Sequence, residues 1–582
     1  MRLSKAVLTI RLDIKFNWLQ YTNFIPDVRS VTLRDDCACS FPLSQACSAV
    51  TLNDALFYMK KKDWFRLKRY PHIGPQFQPN DRKWIGSYVK DEDAITKHSF
   101  YPFIHLKLSD KRFRRAKFDD GTRSYERIIG IKKREVFYAS HLDALIYSYY
   151  SEILSNKYDD YLKNKPVSDS VTAYRKIKLN NKPKSRNKCS IDFANDIFKY
   201  IKANKDKNLV AITFDITSFF DNLDHYILKQ AWMTVIGKTD QLPEHHYAVF
   251  RNLTKFSYVE MEDMFEEFKD DMYVKKKDGS VVKKAITKIE LLKEKNAVSF
   301  CDGNDEFKTR VRGKKLIKNN KWIKDENGNK TLRKKGIPQG SPISATLANI
   351  YMIDFDTIVN KSISKMGGLY QRYSDDMVAI VEEQHMHNVI SLFQKKVKES
   401  KLEIQPSKTQ VFLFKKFNGI YECREYDLKT KKLSNKYKFD YLGFSFDGNH
   451  VYIKHSALSK YYRKMKRSIR RGGFFAKYGK NKTPFLFKGR LYKRFTHLGS
   501  NRRTIYKRDP KNNEKWIKSH KHDWGNFLTY SNLAYSIFND KKIKKQVGRS
   551  WNIFHNLVSE KQKEVDRYHK NRNKRLIITK KK

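Results

Sequence analysis

The chain has 582 residues, with 120 Lys and Arg against 63 Asp and Glu, for a formal net charge of +57. Hydrophobic residues make up 40% and aromatics 14%, which excludes a disordered basic tail, because such tails lack the apolar side chains that build a core. Lys or Arg interrupts every apolar run before it reaches the ~18 residues of a membrane span, and Arg11, Asp13 and Lys15 break the N-terminus where a secretory signal needs an apolar stretch.

At roughly 100–200 residues per domain, the length accommodates about three to five structural units. Cations interleaved with aromatics point to a polyanionic partner, nucleic acid first.

Residues 1–58 read as an N-terminal extension distinct from the rest of the chain. They hold Cys37, Cys39 and Cys47, half of the six cysteines. That sparse spacing suits a reducing compartment rather than a disulfide framework, and no fourth ligand completes a zinc site. Met59 opens the basic stretch MKKKDWFRLKRYPHIG and offers a second start for the natural product.

From Trp64 to Arg115 basic and aromatic residues alternate densely. His141, Leu142, Leu145, Ile146, Tyr149 and Tyr150 recur at three- and four-residue intervals and predict an amphipathic helix. AYRKIKLNNKPKSRNKCS, with Pro183, predicts a basic hairpin or loop. Phe193, Ile197 and Ile201 predict a second helix, and Leu209 to Phe214 a buried strand that ends on Asp215. The Lys/Glu-rich stretch 256–335, with DGS, DGN and ENGN turn signals, predicts an insertion. Beyond His455 the chain is predicted helical and basic. There Tyr462, Met465 and Ile469 form an apolar stripe that leaves Lys464, Arg467 and Arg471 for phosphates.

Three motifs carry chemistry. FDITSFFDNLDH has Asp215 closing its strand, GIPQGSPISATLANIYM runs from Gly336 to Met352, and QRYSDDMVAIV places Asp375 and Asp376 at a tight turn between two apolar strands. A hairpin that sets Asp375 beside Asp215 would gather two or three carboxylates at one point. Such a cluster repels itself unless divalent cations neutralise it. Two Mg²⁺ ions about 4 Å apart would do so and would create a phosphoryl-transfer site. Ala345, Ala348, Met352 and Phe355 suit a helix packed beneath those strands.

These motifs resemble the reverse transcriptase family, in the family's order, over Tyr138 to Phe446. LEIQPSKT, with Lys408, and YLGFSF, from Tyr441 to Phe446, are similar to its later motifs. The resemblance implies an α+β right-hand polymerase. Its fingers and a basic extension would fall in 59–205, its palm in 206–446 and its basic helical thumb and tail in 447–582.

The resemblance further implies that Asp215, Ile216, Asp375 and Asp376 ligate two Mg²⁺, with Mn²⁺ as an alternative ion. Lys408 would act on the pyrophosphate leaving group. Phe220, five positions after Asp215, would be a steric gate against the ribose 2′-OH. Gln339, Arg175 and Lys188 would meet the incoming dNTP. Gly340, Ser341, Pro342, Tyr373, Leu442, Gly443, Arg463, Lys464 and Arg467 would contact template and primer. Ser374 stands where the family often has Ala, and the separation of Asp215 from Asp375 is long, which the 256–335 insertion absorbs.

There is no acidic constellation for RNase H and no Cys/His-rich endonuclease module after YLGFSF. HLDALIYSYYSEIL and the extended N-terminal region resemble free-standing bacterial reverse transcriptases of the defence-associated and abortive-infection groups. That implies a cytoplasmic bacterial enzyme that makes DNA on a noncoding RNA template in antiphage defence, with no membrane partner and oligomerisation left open. An intron- or retron-type enzyme and a nonenzymatic RNA-binding scaffold are the alternatives.

Overall fold

The computed structural model describes residues 63–117, 123–180, 185–276, 278–324, 328–434, 436–479, 484–500, 503–508, 516–523 and 525–581. The 1–58 extension with Cys37, Cys39 and Cys47, and the start at Met59, lie outside the described residues.

Strands β1 (Phe103–Lys117) and β2 (Arg123–Tyr138) pair as a long antiparallel ribbon. Helix α1 (His141–Leu162) follows, with the Ser140 hydroxyl accepting from the Asp143 amide at its start. The spacing predicted a single apolar stripe, yet Ala144, Leu145, Ile146, Tyr147 and Ser148 are buried in succession. The helix is wrapped on several sides and runs through the core. The predicted basic hairpin closes with Leu179 donating to Arg186 and Lys188 to Ile177. It leads to α2 (Ser190–Ala203), which buries Phe193, Ile197 and Ile201 as expected.

The central sheet explains the apolar run at 209–214, which only Thr213 interrupts. Strand β3 (Leu209–Asp215) lies inside it. Helices α3 (His225–Ile236) and α4 (Glu244–Thr254) follow, then strand β4 (Ser257–Glu260) and, after the insertion, helices α5 (Ser344–Tyr351) and α6 (Ile353–Lys365). Strands β5 (Leu369–Tyr373) and β6 (Asp376–Glu382), helix α7 (Met386–Glu399), and strands β7 (Gln410–Phe417), β8 (Ile420–Asp427) and β9 (Lys432–Leu433) complete this part of the chain. The sheet order is β5-β6-β3-β7-β8-β9, antiparallel throughout.

Successive strand residues point to opposite faces. Val210, Ile212 and Phe214 join the core under α1, α5, α6 and α7, while Leu209 and Ala211 join a second core with α2 and the C-terminal helices. A strand buried on both faces is apolar at nearly every position.

The 256–335 stretch folds together with strands near the N-terminus. β4 pairs in parallel with β1, and Met264, Phe268, Met272 and Phe300 centre a third apolar core. A separate sheet of Met272–Lys275, Val281–Lys284 and Ala297–Cys301 is completed by His72–Ile73 from far upstream.

Strands β10 (Phe439–Tyr441), β11 (Phe444–Phe446) and β12 (Val451–Ile453) form a small sheet that delivers the chain into α8 (His455–Tyr478). Helices α9 (Lys488–Phe495), α10 (Phe527–Phe538), α11 (Lys541–Gly548) and α12 (Ser550–Lys581) follow. The buried stripe of α8 is Leu458, Tyr461, Met465, Ile469 and Ala476, with Tyr462 only half-buried. The predicted stripe was therefore one residue off at its first member, while Lys464, Arg467 and Arg471 do face solvent. The class is α+β, as expected: an antiparallel sheet with helices on one face and a helical C-terminal region on the other. Among the described residues no helix is long and apolar enough to cross a membrane.

Candidate active site

The site is built on the register of two hairpins. β5 and β6 close through a two-residue loop, Ser374–Asp375, with Tyr373 opposite Asp376. β6 then pairs with β3 so that Asp376 lies directly opposite Asp215. Sequence reading had set Asp375 beside Asp215. The loop takes up Asp375, and the ladder resumes one residue later. On the far side of β3, Gln405 donates to the Asp215 carbonyl (2.8 Å) and Ile216 bridges Ile404. Ile216 is buried and has no polar side-chain atom, so only its backbone carbonyl can serve as a ligand.

A tight loop of this kind requires a left-handed residue, and Ser374 supplies it at φ 64° although it is not glycine. Its carbonyl accepts from Arg372 Nη1 at 3.0 Å. Arg372 is fully buried and pairs with buried Asp356 through Nε (2.8 Å to Oδ1) and Nη2 (2.6 Å to Oδ2). Tyr370 donates to the same Oδ1 at 2.7 Å, and Asn349 accepts from Nη1 at 3.2 Å. Burial opposes the charged guanidinium, but Asp356 outweighs it and holds Arg372 protonated. A charged pair on α6 and β5 thus fixes the strained loop from behind. Sequence reading passed over Arg372 as part of QRYSDD. The available signal was a charged residue in the inward phase of an apolar strand.

In front of the ladder lies a cleft of about 810 Å³, lined among others by Asp215, Asp376, Lys408, Gln410, Leu442 and Lys454. Lys408 Nζ sits 2.7 Å from Asp215 Oδ1, and Lys454 pairs with Asp440 at 3.1 Å. Lys454, Asp440 and Gln410 were not singled out from sequence, because nothing in their local pattern marks them.

The Asp376 carboxyl is pushed up to about 6, by loss of bulk water in the cleft and then by the charges of Asp375 and Asp215, with Lys408 and Lys454 pulling it down. By surface area Asp376 remains exposed, so the crowding of carboxylates is the contribution we weigh most. Among the described residues no three His, Cys, Asp or Glu side chains stand together as a ready-made metal centre. The donor chemistry nevertheless fits a hard cation. The donors are oxygens, their mutual repulsion is already visible at Asp376, and an ammonium group now neutralises Asp215.

The GIPQGSP loop reaches the same region. The Ile337 amide donates to the Phe220 carbonyl (2.9 Å), and the Gly336 amide to Leu223 (2.8 Å). The Phe137 amide on β2 donates to the Gln339 carbonyl (2.8 Å), leaving the Gln339 side chain exposed. Gly340 has φ 116°, and a Cβ there would lie 2.7 Å from the Phe137 carbonyl oxygen, so glycine is required by both backbone and space. Ser341 is buried with no hydrogen-bond partner for its hydroxyl, and Pro342 is half-buried. Phe219 is buried in the core while Phe220 packs against it and stays half-exposed. Ala348 on α5, Phe355 on α6 and Met352 at the junction between them are buried beneath the sheet.

The remaining expected residues divide into two groups. Tyr373 closes the β5–β6 loop opposite Asp376. Leu442 (φ 42°) and Gly443 form the β10–β11 turn and line the cleft. Arg463, Lys464 and Arg467 are exposed on α8. Arg175 is held inward instead, by Asp159 (2.7 Å) and the Val171 carbonyl (2.9 Å), with its side chain only 9% exposed. Lys188 pairs with Asp196 at 2.9 Å. The structure does not bring these two cations to the cleft, because local carboxylates and carbonyls engage them first.

Residues 246–446 match the family described as reverse transcriptase (RNA-dependent DNA polymerase). The matched region, roughly a third of the chain, contains GIPQGSP, YSDD, Lys408 and YLGFSF but not Asp215 or Phe220. A reverse transcriptase (RNA-dependent DNA polymerase) domain is thus present in this region, and the α+β class of the fold agrees with it. No curated protein matches the sequence.

Solved structures similar to the chain include apo telomerase from Candida tropicalis (11% identity, TM-score 0.32, covering 86% of this chain and 69% of that one). A version of that telomerase truncated from its C-terminal domain matches at 10% identity and TM-score 0.29, over 64% and 59%. Candida albicans telomerase in complex with a fragment of telomeric RNA matches at 11% and 0.29, over 83% and 63%. The chain thus spans between 59% and 69% of the length of these telomerase chains.

Proposed function

We propose that the protein is an RNA-directed DNA polymerase that extends a primer with deoxynucleotides by two-metal nucleotidyl transfer. The observation that carries this reading is the meeting of Asp215 and Asp376 at one ladder position, with Asp375 in the adjoining loop, at the head of a cleft shared with Lys408 and the Leu442–Gly443 turn. Asp215, Asp375, Asp376 and the Ile216 carbonyl are the ligands for two Mg²⁺. When bound, these ions supply activation of the primer hydroxyl and neutralisation of the departing pyrophosphate.

The chain's own groups do the rest. Lys408, once released from Asp215, offers a proton and a positive charge to the pyrophosphate. The half-exposed Phe220 ring excludes a ribose 2′-OH, and the exposed Gln339 side chain meets the nucleotide. Leu442 and Gly443 support the primer end, and the Arg372–Asp356 pair holds the Asp375 loop in place. Arg175 and Lys188 are engaged elsewhere in the fold and would have to leave their carboxylates to meet a triphosphate.

The finer biological reading, a cytoplasmic bacterial enzyme that copies a dedicated noncoding RNA in antiphage defence, rests on the motif resemblance of the segment around α1.

The test is dTTP incorporation on a poly(rA)–oligo(dT) template with Mg²⁺. Wild-type protein incorporates, and the Asp375→Ala/Asp376→Ala variant does not. An inactive wild type, or a variant that keeps the wild-type rate, overturns the proposal. Phage plating with the same variant tests the defence role.

A further inference from the structure

We propose that the solvent face of α8, with Phe485 and Phe487 beyond it, is a platform that captures unpaired nucleic-acid bases. The proposal rests on the polymerase reading for its partner class but concerns residues on a different element from the carboxylates. The 24 residues of α8 contain eight Lys and Arg and no Asp or Glu. At about 100° per residue, Arg463, Arg467, Arg470, Arg471, Phe474 and Tyr478 fall within roughly a 100° sector, opposite the buried stripe. All six are exposed. Going along the helix, the face is a row of arginines that ends in aromatics.

Those aromatics are unusual for a water-facing surface. Phe474 and Tyr478 are each 58% exposed, and Phe475, Phe485 and Phe487 are at least half exposed. The Phe474 and Tyr478 rings lie 5.0 Å apart, and those of Phe485 and Phe487 5.9 Å apart. Contiguous exposed rings of this kind mark a binding surface.

The scaffold beneath is closely packed. A Cβ at Gly473 would fall 2.5 Å from Lys561 Cδ, so glycine is what lets α8 lie this close to α12. His569 also bonds the Ala476 carbonyl at 2.9 Å.

Charge complementarity selects the occupant. Lys477 and Lys561 neutralise Glu564 on α12, so the face is cationic. A second copy docking here would set one arginine row against another. A polyanion is attracted along the whole row, about 22 Å from Arg463 to Tyr478, the length of roughly six stacked base pairs. A closed duplex has no use for the rings, because its bases are already stacked. Unpaired bases stack on them, so the ligand is a single strand of template or product.

The experiment is fluorescence anisotropy of the full chain with a labelled single-stranded 20-mer and with a blunt 20-base-pair duplex. The wild type is compared with Phe474→Ala/Tyr478→Ala, Phe474→Trp and Phe474→Leu. The double alanine variant is expected to weaken single-strand binding at least about fivefold per ring and duplex binding less than twofold. Tryptophan keeps single-strand affinity, while leucine, apolar but without a π face, loses it.

Unchanged single-strand affinity in the double variant overturns the proposal. So do equal losses on both ligands, equal behaviour of the leucine and tryptophan variants, or a loss of self-association in sedimentation with binding intact. Incorporation by wild-type protein is read in parallel. A wild type that binds single strands through these rings but never incorporates dTTP removes the polymerase reading and leaves the platform standing.

Discussion

Substituting Asp356 by Asn tests the idea that a buried ion pair holds the catalytic loop. The change is nearly isosteric, yet it leaves the Arg372 cation fully enclosed with no counter-charge. Removing one partner of a buried pair costs about 3–5 kcal/mol, and Asp356 receives both the Nε and Nη2 bonds as well as the Tyr370 hydroxyl. Urea unfolding should therefore show a loss of that order. dTTP incorporation should fall with it, in kcat more than in KM, because the Ser374 carbonyl loses a firmly placed donor.

The double variant Arg372→Met/Asp356→Leu separates the two roles. Replacing a buried pair by apolar residues is often close to neutral for stability, so the fold recovers while incorporation stays low. Ser374→Gly in that background should restore part of the rate, since glycine adopts φ 64° without strain. A loss below about 1 kcal/mol in Asp356→Asn, or full activity in the double variant, would refute the reasoning.

Phe220→Ala should raise ribonucleotide incorporation by roughly tenfold or more relative to dNTP, measured by single-nucleotide extension; unchanged discrimination makes Phe220 a packing residue. Gly340→Ala should lower incorporation and cost about 1–3 kcal/mol, since the new methyl meets the Phe137 carbonyl; a silent substitution would mean that the loop is free to move. Burial lowers His72 to about 3, a shift to which His141 adds; it lowers His141 and His246 to about 4, with His245 adding at His246. The unfolded chain binds these protons first, so stability falls as pH drops from about 6.5 to 4, each histidine contributing on the order of 3 kcal/mol. His141→Phe should flatten that acid limb in urea titrations at successive pH values, and an identical pH profile would exclude His141 as a cause.

What could be read from the chain alone was local and chemical. The apolar run into Asp215, the YSDD pair and the glycines of GIPQGSP are short-range patterns, because strand period, turn chemistry and positive φ are set by neighbouring residues. The strand and the tight loop follow from them, whereas the tight packing at Gly340 is against the Phe137 carbonyl of β2. Basic surface and helical tail were equally legible, since composition does not depend on folding.

Register and partnership were not legible, because they are settled between residues far apart in sequence. Only the tertiary ladder shows that Asp376, not Asp375, faces Asp215 across 161 positions. Asp356 neutralises Arg372 from a neighbouring helix, Asp159 engages Arg175, and the 256–335 stretch pairs with strands near the N-terminus. A charge in a sequence names what a side chain can attract. Its folded neighbours decide whether that attraction is already satisfied, which is why the net +57 could suggest nucleic acid while leaving open which cations remain to meet it.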